Sequence, residues 1–467
     1  MDGVTRARRG AEPEFGTETT SWMTPPVVMT LLMVVVMFFH VSLEDVLPNK
    51  TFMILLGLVI VTAAVWIDNS RRRILDIGTV EFAMGLYLLW NLFSLFTPHK
   101  YPAVDPLSSA ISAPRLIMTG TLIPFVMYAV GRYTFDRAAA VRALLWTIIA
   151  MAAYSAWVSI VPVTGPTELV WPEFIVDGSL PPDKTWIGRA VGVFNQPVVN
   201  GLILTLGVAV AMLLVRPRSG EPTWRRWVAF FVAIASGYSI YLTHTRIAWL
   251  SGAVVLVTGA LLAKGYRAGY LAGLGGTATI VAANWSAFTS QDRAAGGIAS
   301  QAEVHDRLNM IQTAIWSFGE KPLAGWGIGR FVMVNTYHHQ QWSPDIPWQR
   351  GFSISPHENE MGILSELGLI GLTLWIAVLA LLAHRLWDAY RTLPDRGLWG
   401  KPLALLAILA FAVLICTGLT VDLRRFDFPT ALVFLLIGTA VGWSDRYKRV
   451  QTTMGSCAGE KLSHANV

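Results

Sequence analysis

Along the chain, polar connections alternate with twelve unbroken apolar stretches, at about 24–42, 52–67, 78–96, 113–130, 141–162, 197–215, 227–243, 246–263, 268–286, 359–383, 402–420 and 428–443. A helix needs about 20 apolar residues to cross a bilayer, and these stretches supply them. Their continuity excludes an outer-membrane barrel, whose strands are shorter and alternate apolar with polar residues. The pattern predicts an all-α polytopic membrane protein with about 12 transmembrane helices. It divides the chain into a tail at 1–22, nine helices over 23–286, a large loop at 287–358, three helices over 359–445 and a second tail at 446–467.

Composition agrees. Of 467 residues, 54% are hydrophobic and only 14% charged, and the mean hydropathy is +0.49. Soluble domains carry roughly a quarter charged residues, so a soluble multidomain enzyme is excluded. The formal net charge of +6 would suggest nucleic acid in a soluble protein; here the basic residues are topology signals. With a cytoplasmic N-terminus, 23 of the 36 Lys and Arg fall in cytoplasmic segments. These include Arg71 to Arg73, Arg132, Arg216, Lys264, Arg385 and Lys401. An odd number of helices would break that sorting halfway along. The expectation is therefore a multi-pass membrane protein with both termini cytoplasmic. The first run, near Pro25, has no A-x-A-like site behind it and reads as a retained helix rather than a signal peptide. Two cysteines, Cys416 and Cys457, imply neither a disulfide framework nor a thiolate metal site. Residues 1–22 and those from about 450 onward have the composition of disordered tails.

Both long connections, about 163–196 and about 287–358, fall on the outer side and are rich in Trp, Pro and Gly. Loops on a rigid scaffold are where function concentrates, so the chemistry is expected there. No G-x-x-x-x-G-K-[ST], H-E-x-x-H or G-x-S-x-G motif is present. The glycines at 325, 327 and 329 follow no strand and read as a tight turn rather than a nucleotide loop. His357 stands where the large loop enters the membrane, in Ser355-Pro356-His357-Glu358-Asn359-Glu360. The positive end of a helix dipole there favours a neutral imidazole, the usual general base at neutral pH; capping or interfacial packing is the plainer role. Arg246 sits between two apolar runs at the outer surface, Arg189 ends the first long loop, and Arg307 lies in the second beside Asp306. Guanidinium groups at headgroup depth suit a lipid phosphate or diphosphate; snorkelling or ion pairing is the alternative. Arg424 and Arg425, flanked by Asp422 and Asp427, read as local ion pairs. His305, His338, His339 and His357 have no metal-ligand spacing, so neither a metal nor a cofactor is expected. Most tryptophans read as interface anchors, with Trp316, Trp326, Trp342 and Trp348 available to stack on sugars.

Together these segments resemble the O-antigen ligase/polymerase superfamily of bacterial membrane glycosyltransferases, the family with the Wzy-C region. The likeness rests on the run from Arg307 through Lys321-Pro-Leu-Ala-Gly-Trp-Gly-Ile-Gly-Arg-Phe331, then His357 and Glu366-Leu-Gly-Leu-Ile-Gly371. The family pattern reads "PllGvGpGnf" and "HNxxLxxxxELGliGL", and His357 stands eleven residues before Gly368, as there. Arg246 matches a family arginine at a helix start, and Arg189 to Pro197 resembles "R-x-x-G-x-f-x-n-P". One departure stands out: where the family has Asn after the histidine this chain has Glu358, with Asn359 next.

The resemblance implies a GT-C-like helical fold, with a long helical periplasmic loop before the tenth helix. It further implies transfer of a glycan from undecaprenyl diphosphate at the periplasmic face of the bacterial inner membrane. Acceptors in the family are lipid A-core for ligases and a second repeat unit for polymerases; the ligase is preferred here for its long, compact loop. On this reading His357 is the general base, Arg246 and Arg189 hold the donor diphosphate, and Arg307, Glu358 and Asn359 are candidates for substrate binding. A sugar diphosphate is already activated, so no nucleotide is needed, and direct attack inverts the anomeric carbon. The rival class is a transporter or flippase for the same lipid-linked glycan; the one-sided loops and the lack of an internal repeat argue against it.

Overall fold

The computed structural model describes residues 23–44, 46–47, 51–69, 77–97, 99–102, 112–177, 186, 188–292, 297–298, 301–348 and 354–464. The N-terminal tail at 1–22 and Arg71 to Arg73, both used above for topology, lie outside these residues. Every described regular element is helical. Each of the twelve apolar stretches holds a helix: α1 (Pro25–Phe38), α2 (Thr51–Asn69), α3 (Thr79–Phe96), α4 (Ala113–Thr134), α5 (Ala138–Thr164), α6 (Pro197–Leu214), α7 (Thr223–Leu242), α8 (Arg246–Leu262), α9 (Arg267–Ala283), then, beyond the large loop, Asn359–Thr392, Lys401–Gly418 and Asp427–His464. The loop contributes two helices of its own, α10 (Ala302–Glu320) and α11 (Phe331–His338). The last three spans are therefore α12 (Asn359–Thr392), α13 (Lys401–Gly418) and α14 (Asp427–His464). Eight of these helices are long and apolar enough to cross a membrane, and α1 and α8 are shorter apolar helices. The chain is a polytopic α-helical membrane protein.

α14 is the axis of the bundle. Its apolar stretch is 94% buried, against 22% for the peripheral α2. It packs along α4 through Gly438 and Gly442, one turn apart on its surface. A Cβ at these glycines would lie 2.0 Å from the Tyr128 carbonyl oxygen and 2.2 Å from that of Arg132. Small residues at i and i+4 let two membrane helices touch backbone to backbone, so dispersion forces that lipid cannot match hold the pair together. Composition predicts disorder from about 450, but α14 runs on to His464. The segment has no proline, and the packed stem that precedes it has already met the cost of nucleation, so the helix propagates despite Gly455 and Gly459.

Two irregularities lie at the loop end of the bundle. α4 contains a π-helical turn at Met118–Leu122, where Gly120 presses against Arg424 and Thr119 Oγ1 donates to the Arg424 carbonyl oxygen at 2.9 Å. α12 is broken at Gly368, whose φ of 67° and ψ of −166° are accessible essentially to glycine alone. The break strips α12 of several of its own hydrogen bonds, and the loop between α10 and α11 replaces them. The Trp326 and Gly327 amides donate to the Ser365 and Glu366 carbonyl oxygens at 3.0 and 2.8 Å, and the Leu369 amide donates to the Pro322 carbonyl oxygen at 2.8 Å. The Trp90 indole donates to the Leu367 carbonyl oxygen at 3.0 Å. Gly325, with φ of 68°, lets the loop lie so close that a Cβ there would sit 2.5 Å from the Glu366 carbonyl. The glycine run is thus a strap across a broken helix, a specific form of the tight turn that the sequence predicts. Irregular backbone at this depth is tolerated only where protein satisfies it.

Candidate active site at the loop end of the bundle

His357 occupies the turn that leads into α12. Its Nδ1 lies 3.0 Å from the Ser355 carbonyl oxygen, which can only accept, so Nδ1 carries the proton and Nε2 keeps its lone pair. The ring presents a face to solvent while protein crowds its other sides. That desolvation holds its pKa below the usual imidazole value of 6.5; the Ser355 hydrogen bond opposes the shift, Arg307 strengthens it, Asp306 opposes it and Arg425 adds to it. The ring is therefore neutral at pH 7.

Arg307 and Asp306, on α10, act on His357 electrostatically. That helix is held against the start of α12 by a small apolar core of Met310, Ala314 and Phe331, with Ile354 and Met361 packed on it. Ser317 Oγ donates to Ser365 Oγ at 2.6 Å in the same interface. The returning loop hangs on α10 as well: the Trp342 amide donates to Asn309 Oδ1 and the Gln340 amide to Thr313 Oγ1, each at 2.9 Å. Glu358, at the N-cap of α12, is partly buried; desolvation raises its pKa, while Arg307 lowers it and Glu360 raises it further. Asn359 is turned the other way. It is fully buried and donates to Glu360 Oε1 at 3.1 Å, beside Gly418. Of the two candidates for the position after the family's histidine, Glu358 thus faces the Arg307 side and Asn359 packs in the bundle.

The second group forms around the turn from α7 to α8. Arg189 donates through Nε to the Thr243 carbonyl oxygen at 3.1 Å and through Nη2 to Thr245 Oγ1 at 2.8 Å. Its guanidinium also covers the Trp186 ring at 4.6 Å. The turn is closed by His244 in the left-handed region, φ 44°, and Thr245 caps α8 immediately before Arg246. The structure therefore brings Arg189 to the turn that carries Arg246, although 56 residues separate it from Thr245. A cation at the first position of a helix opposes the helix dipole, and the same position attracts anions. Both groups lie at one end of the molecule, because α8 and α12 run parallel: the Tyr390 hydroxyl, near the C-terminus of α12, donates to the Leu262 carbonyl oxygen at the end of α8.

Arg424 and Arg425 hold different roles. Arg424 is buried and donates to Asp422 through Nε at 2.8 Å and Nη2 at 3.0 Å, as local pairing predicts. It also donates to Glu366 Oε2 through Nη1 at 2.6 Å, a partner 58 residues away that local pattern does not reveal. Glu366 in turn accepts the Phe331 amide at 3.0 Å, fixing the start of α11. Asp427 takes no part in these pairs; it accepts the Phe428 amide at 2.7 Å. Arg425, with Nε 3.6 Å from Asp422 Oδ2, acts on His357. The pair with Asp422 is the local one that the sequence predicts; the influence on His357 is what the sequence reading missed. Its only signal was position, a second arginine in the turn between the last two helices.

His338 and His339 face different partners, as adjacent residues must. His338 contacts the Tyr101 hydroxyl at 2.7 Å and stacks on Trp316, while His339 contacts Asn335 Oδ1 at 2.9 Å. Trp326 is buried, and its indole donates to the Ser317 carbonyl oxygen at 2.9 Å. Trp342 and Trp348 remain exposed.

No curated protein matches the chain. Residues 231–376 match the Wzy_C family model, described as O-antigen ligase. The matched region holds the Arg246 turn, Arg307, the glycine strap, His357 and the break at Gly368, whereas Arg189, Arg424 and Arg425 lie outside it. The family that the motifs resemble is the one whose model matches, over residues 231–376 of this chain.

Proposed function

We propose that the chain is an O-antigen ligase-type glycosyltransferase that moves a glycan from undecaprenyl diphosphate to lipid A-core at the periplasmic face of the inner membrane, with both termini cytoplasmic. The family implies ligase- or polymerase-type activity on lipid-linked glycans in a membrane; the donor, acceptor and orientation are our reading. The observation that carries it is the His357 tautomer. Its proton is engaged by Ser355, its Nε2 lone pair is available, and its pKa is held low enough for it to be neutral.

In this mechanism the acceptor hydroxyl gives its proton to His357 Nε2 as its oxygen attacks the anomeric carbon. The bond from that carbon to the diphosphate oxygen breaks, and the electron pair leaves with the diphosphate. Attack opposite the leaving group inverts the anomeric carbon. Arg246 and Arg189 stabilise the charge that grows on the leaving group, so no metal ion is called for. Arg307 and Glu358, beside the base, orient the acceptor. Asn359, buried against α13, supports the entry into α12.

The test uses the purified chain in detergent with undecaprenyl-diphosphate glycan and three acceptors: lipid A-core, a second lipid-linked repeat, and a peptide. Product on lipid A-core, formed with a chelator present and lost in His357→Ala and Arg246→Ala, is the expected outcome. Product on the second repeat alone makes the protein a polymerase. Glycolipid crossing in vesicles without product on any acceptor overturns the transferase and leaves a transporter.

A further inference from the structure

At the end opposite the loops, a cleft opens between the last turns of α6 and α8 and the first turns of α13. Its floor is apolar, with Leu213, Leu405 and Leu409, and its rim carries Arg216, Lys264 and Lys401 with the single acid Asp395. Several other cations at this end meet carboxylates, and Arg226 and Arg267 donate to backbone carbonyls. Arg132 pairs with Glu81 and Asp445, Arg385 with Asp445, Lys448 with Asp388, and Arg142 and Arg225 with Glu221. Arg216 meets Asp395 at 3.3 Å, but among the described residues no carboxylate pairs with Lys264 or Lys401. Lys401 lies instead 5.4 Å from the centroid of the Tyr390 ring. It is also the first residue of α13, where a cation opposes the helix dipole. An insertion signal accounts for positive charge at this end, but not for three cations converging on one cleft with one acid among them.

We infer that this cleft binds an anionic phospholipid, with the headgroup phosphate between Lys264, Lys401 and Arg216 and an acyl chain along the leucine floor. The phosphate supplies the negative charge that the rim lacks and relieves the cation at the helix start. The leucine floor distinguishes a lipid from a free anion, which would gain nothing from it. The site is separate from the candidate active site and does not depend on the reaction proposed there.

The test uses the full chain in a non-ionic detergent, with thermal unfolding followed after addition of phosphatidylglycerol, phosphatidylcholine or inorganic phosphate, and with retained lipid counted by native mass spectrometry. Lys264 is exposed and Lys401 partly so, which makes the double variant Lys264→Gln, Lys401→Gln mild for the fold; Lys264→Gln alone serves if the double variant does not fold. Phosphatidylglycerol is expected to raise the wild-type midpoint by several degrees and to remain as an adduct, with retention falling about 5-fold or more in the variant. Phosphatidylcholine and phosphate should leave the midpoint unchanged. Equal stabilisation of wild type and variant by phosphatidylglycerol, or equal effects of the two lipids, overturns the inference. A shift reproduced by inorganic phosphate alone replaces the lipid with a free anion and overturns it equally.

Discussion

Arg424 and Arg425 are adjacent in the chain, and both stand near Asp422, yet they belong to two clusters with opposite characters. Around Arg424, two carboxylates answer one guanidinium, all three groups are buried, and every strong hydrogen bond runs inward. Around His357, two guanidinium groups and one carboxylate act on one imidazole that keeps a face to solvent. The first cluster is closed: it fixes the α12 break, the start of α11 and the last turn relative to one another. The second surrounds an imidazole with an available lone pair by charges of both signs, which suits a substrate with a hydroxyl to lose. Buried charge that is balanced holds structure, whereas a titratable group that keeps a face to solvent remains open to ligands.

The sharpest way to separate the two is to remove the centre of each. His357→Ala should lower transfer by roughly 10²–10⁴-fold, the usual contribution of a general base, with the unfolding midpoint in detergent unchanged. A fall in the midpoint that parallels the fall in activity would put His357 with the structural cluster. Arg424→Met should do the reverse and cost about 3–5 kcal/mol of stability, because it leaves Glu366 and Asp422 buried without their cation. Denaturant titration reads that loss, and an unshifted midpoint would show that the carboxylates had found water. Next in size, Gly368→Ala imposes a backbone strain of about 1–3 kcal/mol, and its Cβ would lie 2.2 Å from the Leu323 carbonyl oxygen. Limited proteolysis within 322–330 should report the strap coming loose, and an unchanged digestion pattern would mean that the break does not depend on glycine. The smallest effect is a pH shift. Transfer should be constant above the His357 pKa and fall as pH drops through it, at a midpoint below 6.5. Arg425 lowers that pKa and Asp306 raises it, so Arg425→Gln should move the acid limb to higher pH and Asp306→Asn to lower pH. A limb that stays in place in both variants would detach these charges from the base.

What could be read in the sequence divides along physical lines. The helical stretches were legible because a bilayer demands long apolar runs, and such runs are local properties of the chain; among the described residues eight of them are long and apolar enough to cross. His357, Arg246, Arg189 and Arg307 were legible as candidates because polar groups at a membrane boundary are costly and so conspicuous. The break at Gly368 was hidden, since the apolar pattern of α12 runs straight through it and only the partner loop makes the interruption affordable. The Glu366–Arg424 pair was hidden for a related reason: the two residues lie in different helix–turn segments, and Asp422 already offered a sufficient local partner. The continuation of α14 past 450 was misread from composition, which sees polar residues but not the packed stem on which they propagate.

The strap across α12 also bears on how the protein is made. Residues 322–330 leave the ribosome before the helix whose backbone they complete. When α12 enters the membrane, the amides and carbonyls that meet its exposed groups at 365–370 have already been synthesised a few tens of residues earlier. Order of synthesis thus puts the partner in the chain before the helix that needs it, since an interrupted helix facing lipid alone would leave its hydrogen bonds unmade.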